Sequence, residues 1–233
     1  MDEVEWLTCT DPGPMLDYLQ GRASDRKLRL FAVACCRRIW PLITESHCQE
    51  AVEVAERFAD GLVTAEVREA AHRAAERVRH DATYSDAPLH SGADYATAYA
   101  ASYAVHDKAT VWLACRAAVN AACAAGHALS RQGAAENEVA AATHAESAAQ
   151  TALVREIFGN PFRPVSLDPA WLSGTVRNLA EVIYEGRAFD RLPILADALE
   201  EAGCAEADIL AHCRGPGPHA RGCWVVDLLL GKS

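Results

Sequence analysis

The sequence predicts an all-α protein on three observations. Alanine dominates long stretches, apolar residues recur at helical rather than alternating spacing, and no segment is rich in strand-forming residues. Proline and glycine punctuate the chain at intervals that suit roughly nine to eleven helices. The expected architecture is a long-helix, alanine-rich bundle over residues 1–158, a proline-rich extended connector over 159–172, and a smaller C-terminal helical region over 173–233. With 51% hydrophobic residues, the 233-residue chain can bury a sizeable core.

Asp11 and Pro12 offer an N-cap and a proline at the first helical position, starting a short helix that Gly21 stops. Ser24 caps the next, DRKLRLFAVACCRRIW, whose middle is apolar nearly all round. Such a helix belongs near the bundle centre, with Arg22, Arg26, Lys27, Arg37 and Arg38 at its ends meeting acidic neighbours. Cys35 and Cys36 are adjacent on it and point about 100° apart, which suits packing rather than a shared ligand. Thr44 opens ESHCQEAVEVAERFAD, ended by Gly61, and Thr64 caps AEVREAAHRAAERVRH. Glu69 and His72 have the Glu-x-x-His spacing of di-iron bundles, but that chemistry needs a second copy, so the pair reads as part of a solvated charged face.

Residues 81–94, with Pro88 and Gly92, read as a loop. Tyr95, Tyr99 and Tyr103 then stand at i, i+4 and i+8, an aromatic stripe that Trp112 extends, expected to pack in the core or at an interface. Over residues 96–158 Gln132-Gly133 is the one clear break, which predicts two long helices in a hairpin. Residues 158–171, FGNPFRPVSLDPAW, hold three prolines yet are too apolar for a floppy linker, so an extended segment pinned across the bundle and joining it to the smaller region is expected. TVRNLAEVIYEG and DRLPILADALEEAG follow as amphipathic helices, the second stopped by Gly203.

Composition narrows function. A formal net charge of -10 argues against coating nucleic acid or an anionic membrane, because phosphate contact needs a basic field. The N-terminal stretch is acidic where a signal peptide needs positive charge, which leads to the expectation of a cytoplasmic protein. The most apolar long stretch, residues 109–129, is alanine-based and interrupted by Arg116, Asn120 and His127, a poor match for a membrane span. Nine cysteines without an export signal read as reduced thiols.

Chemistry-bearing residues crowd into one stretch, residues 209–230, ILAHCRGPGPHARGCWVVDLLL. Gly215-Pro216-Gly217-Pro218 must turn the chain between a short helix ending near Cys213 and a second helix from Trp224 to a C′ glycine, Gly231; a strand over residues 224–230 is the alternative. Three readings follow. In the first, Cys213, His219 and Cys223 bind zinc, with His212 or Cys204 as fourth ligand, since thiolate and imidazole suit that ion. In the second, Cys223 is a nucleophile at a helix N-terminus, favoured as thiolate by the helix dipole and Arg221, with His219 or His212 as base. In the third, the stretch is a packed turn in which the cysteines fill space. The first and third lead to a protein-interaction or scaffold module, with a protein partner or self-association; the second leads to a metal- or thiol-dependent enzyme.

The segments LPILADALEEAGC (192–204), HCR (212–214) and RGCWVVDLLLGK (221–232) resemble a family of paralogous helical proteins abundant in planctomycete bacteria. ACCRRIW (34–40) and FGNPFRP (158–164) fit the same likeness, so it spans most of the chain. The resemblance implies a bacterial cytoplasmic protein and carries no catalytic or binding role.

Overall fold

The computed structural model describes residues 1–84 and 92–232. Among the described residues it has twelve α-helices, three short 3-10 turns and no strand: α1 (Glu3–Thr8), α2 (Pro12–Tyr18), α3 (Asp25–Arg38), α4 (Ser46–Ala59), α5 (Ala65–Tyr84), α6 (Gly92–Ala104), α7 (Val111–Ser130), α8 (Glu136–Phe158), α9 (Gly174–Gly186), α10 (Leu192–Glu201), α11 (Ala207–Arg214) and α12 (Trp224–Leu230). They form two compact units, Met1–Val154 and Arg155–Ser233. The division falls inside α8, four residues before the boundary read from the sequence, so the last turn of that helix belongs to the second unit. None of the helices is long and apolar enough to cross a membrane.

The first unit is built around α3, whose Leu30, Phe31, Val33, Cys35 and Cys36 are almost completely buried, as an all-round apolar helix requires. Its basic ends meet acids. Arg26 pairs with Asp60 at 3.1 Å, Arg37 with Glu56 at 3.0 Å, and Arg38 makes a two-pronged bond to Glu146 on α8 at 2.7 and 3.0 Å. Alanines on α6 and α7, such as Ala100, Ala101, Ala117 and Ala121, are fully buried, which is how alanine brings helices close. Gly126 extends the same logic to α8, because a Cβ there would overlap Thr143 Oγ1 and lie 3.1 Å from the Val139 carbonyl.

The all-α class and the helix number agree with expectation, eleven of the helices having seven residues or more; two expectations are corrected. Before the first helix expected, Asp2 and Glu5 form a reciprocal capping box that starts the six-residue α1, which buries Trp6. The expected loop at 81–94 is shorter, since α5 continues to Tyr84 and α6 begins at Gly92; the remainder lies outside the described residues. The alanine-rich hairpin is three helices, not two, because the chain breaks between Ala104 and Val111. That break is stabilised from a distance. Arg29 on α3, 4% exposed, donates to the carbonyls of Ala104, His106 and Asp107 at 3.1, 2.6 and 3.2 Å, while Arg68 on α5 donates to the Val105 carbonyl at 3.1 Å. Ala104 ends α6 and the other three lie in the loop beyond it, so helical bonding does not satisfy these carbonyls. Thr110 then caps α7. His72 of the Glu-x-x-His pair packs against the His106 ring, and Glu69 pairs with Arg68.

The second unit has its own core, formed by Val176, Ala180, Ile183 and Tyr184 of α9, Leu192, Leu195 and Leu199 of α10, Ile209 and Cys213 of α11, and Val225, Val226 and Leu229 of α12. Trp171 of the proline-rich segment belongs to this core and Val165 and Leu167 pack against it, so the apolar side chains of that stretch are held by the second unit itself and not, as expected, by the bundle. Residues 224–230 are helical, with Gly231 left-handed at φ 64°.

Candidate functional site

The candidate site lies wholly in the second unit and joins the last turn of α8 to α11, the 215–223 loop and the start of α12. Gly159 closes α8 in the left-handed region at φ 68°, and a Cβ there would press on the Trp224 indole at 3.2 Å. Glycine thus does two jobs at once: it ends the helix and lets the indole lie over its end. Gly217, at φ 88°, lets the loop fold back so closely that a Cβ would meet the His219 backbone nitrogen at 3.0 Å.

At the centre is a residue the sequence reading missed, Glu156, only 4% exposed. Its Oε2 lies 3.1 Å from His219 Nδ1 and 3.2 Å from His212 Nε2, and its Oε1 accepts from the Ala220 N–H at 3.3 Å. His212 Nε2 is also 3.2 Å from Cys223 Sγ. Glu156, His212 and Cys223 offer ligand atoms within 4.8 Å of one another, a group that could hold a metal ion. Cys213 and Cys204 are not in that group; both are buried in the apolar core of the unit. His219 reaches Glu156 but is not in the group either.

Hydrogen-bond partners dictate where the protons sit. A tryptophan N–H can only donate, and Trp224 Nε1 is 3.1 Å from His212 Nδ1, so His212 Nδ1 is an acceptor and its proton resides on Nε2, facing Glu156 and Cys223. His219 is the opposite case. Its Nε2 lies 3.3 Å from the Gly215 carbonyl and its Nδ1 faces the carboxylate, both acceptors, so both ring nitrogens donate and the ring is an imidazolium. The electrostatics agree. Burial, reinforced by His219, lowers the His212 pKa against the pull of Glu156. Burial alone would lower His219 too, but the bond and charge of Glu156, with the Gly215 carbonyl, outweigh it and raise the value.

Cys223 is 1% exposed, and burial together with the Glu156 charge pushes its thiol well above the usual range, so it holds its proton and directs it to Glu156. Cys213 is pushed up to about 12 by burial and by the Glu156 charge. Arg221 is placed against α9, over the Tyr184 ring at 5.1 Å and donating to the Glu185 carbonyl at 3.3 Å. What acts on the Cys223 sulfur is therefore a carboxylate that disfavours the thiolate, the reverse of the environment a nucleophilic cysteine needs.

A second feature lies on the first unit. Tyr95, Tyr99 and Tyr103 of α6 and Trp112 of α7 form a continuous ladder with ring centroids 4.3, 5.7 and 5.9 Å apart. Arg79 lies over Tyr99 at 4.8 Å, and Arg116 lies 5.9 Å from the Trp112 ring. The ladder is half-buried at Tyr99 and Tyr103 and opens to solvent at its ends: Tyr95 is 37% and Trp112 62% exposed, and Val119, two turns further along the same face of α7, is 51% exposed.

No family model, no curated protein and no solved structure matches this chain.

Proposed function

We propose that the protein works by binding another protein, through the aromatic face of α6 and α7 flanked by Arg79 of α5 and Arg116 of α7. The observation that carries this reading is the exposed Trp112 at the end of the tyrosine ladder. Tryptophan, tyrosine and arginine are the residues that dominate binding energy at protein interfaces. Covering the exposed part of the Trp112 side chain alone is worth about 3 kcal/mol at the usual coefficient for apolar area. The cation–π contacts of Arg79 and Arg116 hold the rings in place, which reduces the ordering cost a partner must meet. The thiol-enzyme alternative draws no support from Cys223, which is buried, protonated and next to a carboxylate.

The test is site-specific photocrosslinking in cells of the source organism. A photoreactive aromatic amino acid at position 112 is expected to capture one protein, or a second copy of this chain, and Val119→Glu should abolish the capture. The same amino acid at Ile194, 54% exposed on α10, should capture nothing in particular. If position 112 yields no product that the Val119→Glu change removes, the interaction reading fails. Size-exclusion chromatography with light scattering on the purified chain separates self-association from a different partner.

A further inference from the structure

We propose that Glu156, His212 and Cys223 are a binding site for a single zinc-class divalent ion, and that Trp224 controls whether the site can accept it. The donor set is a carboxylate oxygen, an imidazole nitrogen and a sulfur, the three ligand types that this ion takes in protein sites. Their separations are close to ligand spacing already: His212 Nε2 is 3.2 Å from both Cys223 Sγ and Glu156 Oε2. Ligands at about 2.0 to 2.3 Å from a tetrahedral centre stand roughly 3.3 to 3.8 Å apart, so the two His212 separations are near ligand spacing, and all three donor atoms lie within 4.8 Å of one another. The site differs from the set suggested by sequence spacing, since Glu156 from α8 replaces Cys213 and Cys204. His219 takes the supporting position, its Nδ1–H orienting the ligand carboxylate while its Nε2–H is held by Gly215.

The control comes from the second nitrogen of His212. A neutral imidazole that binds a metal through Nε2 carries its proton on Nδ1 and donates it to an acceptor. Here Nδ1 instead receives the N–H of Trp224 at 3.1 Å, so Nε2 is protonated and closed to a metal. Binding therefore requires three linked events. The Trp224 indole leaves Nδ1, the His212 proton transfers from Nε2 to Nδ1 through solvent, and the Cys223 thiol releases its proton to solvent as the metal–sulfur bond forms. Trp224 is only partly buried, so it has somewhere to go. Because it starts α12 and lies over the end of α8 at Gly159, its movement couples occupancy of the site to the packing of these two helices.

The experiment uses the full-length, tag-free chain stripped of metal and titrated with cobalt(II), whose bonds to thiolate give a strong near-ultraviolet charge-transfer band. The expected result is one ion per chain with that band present, absent in Cys223→Ser, and weakened at least about tenfold in affinity in Glu156→Gln, in line with the loss of an inner ligand. Trp224→Phe removes the opposing donor and should tighten binding about tenfold, the scale of one mispaired buried hydrogen-bonding group. Cys213→Ser should leave affinity within about twofold, since the thiol is outside the ligand group. Circular dichroism establishes that each variant is folded. Trp224→Phe and Cys213→Ser keep the test decisive if Cys223→Ser does not fold. The proposal is overturned if neither the wild type nor Trp224→Phe develops the thiolate band, or if the band survives Cys223→Ser and disappears with Cys213→Ser. Equal affinity of wild type and Trp224→Phe overturns the role given to Trp224.

Discussion

Replacing Glu156 by glutamine tests the proton arrangement at the centre of the second unit. The change keeps the shape of the side chain and an oxygen for the Ala220 N–H, but it presents an amide where the carboxylate accepted from His219 and His212. His219 then loses the anion that holds its second proton. The side chains of His219 and Glu156 are only 12% and 3% exposed, so solvent does little to replace the lost partner. A charge-assisted hydrogen bond contributes about 1.5 to 3 kcal/mol, and removing one member of a buried pair costs about 3 to 5. A loss of about 3 kcal/mol for Glu156→Gln is expected on those scales.

The specific part of that loss is read from a double-mutant cycle with His219→Gln, using urea unfolding followed by circular dichroism with a chelator present. Its pH dependence has a fixed sign. The folded pKa of His219 lies above its unfolded value of about 6.5, so its stabilising contribution is complete below about 6.5 and disappears as pH rises through the folded value. His212 works in the other direction: its folded pKa is lowered by burial and also responds to Glu156 and His219, so it would not cancel, and the cycle is therefore built in a His212→Gln background. The Cys223 and Cys213 thiols are protonated throughout this range. A coupling of about 2 kcal/mol at acidic pH that shrinks as pH rises through the folded His219 value is expected. A coupling that is flat with pH, or below about 0.5 kcal/mol at pH 6, refutes the assignment of His219 as an imidazolium.

Further outcomes follow from the first unit and from the thiols. Arg29→Leu removes the donor to three carbonyls at and just beyond the end of α6 and should cost about 3 kcal/mol or more in urea unfolding, whereas a loss under about 1 would show that water satisfies those groups. Gly126→Ala should destabilise by about 1 to 3 kcal/mol despite alanine's better helix propensity, because its methyl would overlap Thr143 and the Val139 carbonyl; a more stable variant contradicts the close approach of α7 and α8. In the native protein a thiol reagent should modify only Cys9, Cys115 and Cys123, the partly exposed cysteines, and leave Cys35, Cys36, Cys48, Cys204, Cys213 and Cys223 until unfolding; peptide mapping of the labelled chain checks this.

Much of the helical plan was legible because it rests on local chemistry. The N-caps Asp11 and Ser24, the stop glycines Gly61 and Gly203, and the proline cluster before Trp171 act within a turn or two, and each lies where an element begins or ends in the structure. The break between α6 and α7 was not legible, since the residues around it include few conventional stop signals. Its carbonyls are satisfied by Arg29 and Arg68, which are 75 and 37 residues away in sequence from the carbonyls they bond. A buried arginine in the apolar middle of α3 was the available signal, for such a group requires several acceptors from elsewhere in the fold.

The candidate site shows the same limit more sharply. Local crowding of cysteine and histidine drew attention to residues 209–230, which was the right region, but crowding in sequence cannot say which groups face one another. Glu156 precedes His212 by 56 residues and His219 by 63. It sits beside Leu153, Val154 and Ile157, all buried, so an acidic residue was already visible inside an apolar helical stripe. A buried carboxylate cannot stand without donors, and the second unit supplies them from two histidines, a backbone N–H and a thiol. Once that demand is recognised, the competing readings of the loop reduce to a question about protons. The carboxylate fixes His219 as the cation and Trp224 fixes His212 as the Nε2–H tautomer, so whether Cys223 remains a packed thiol or becomes a ligand turns on one indole N–H.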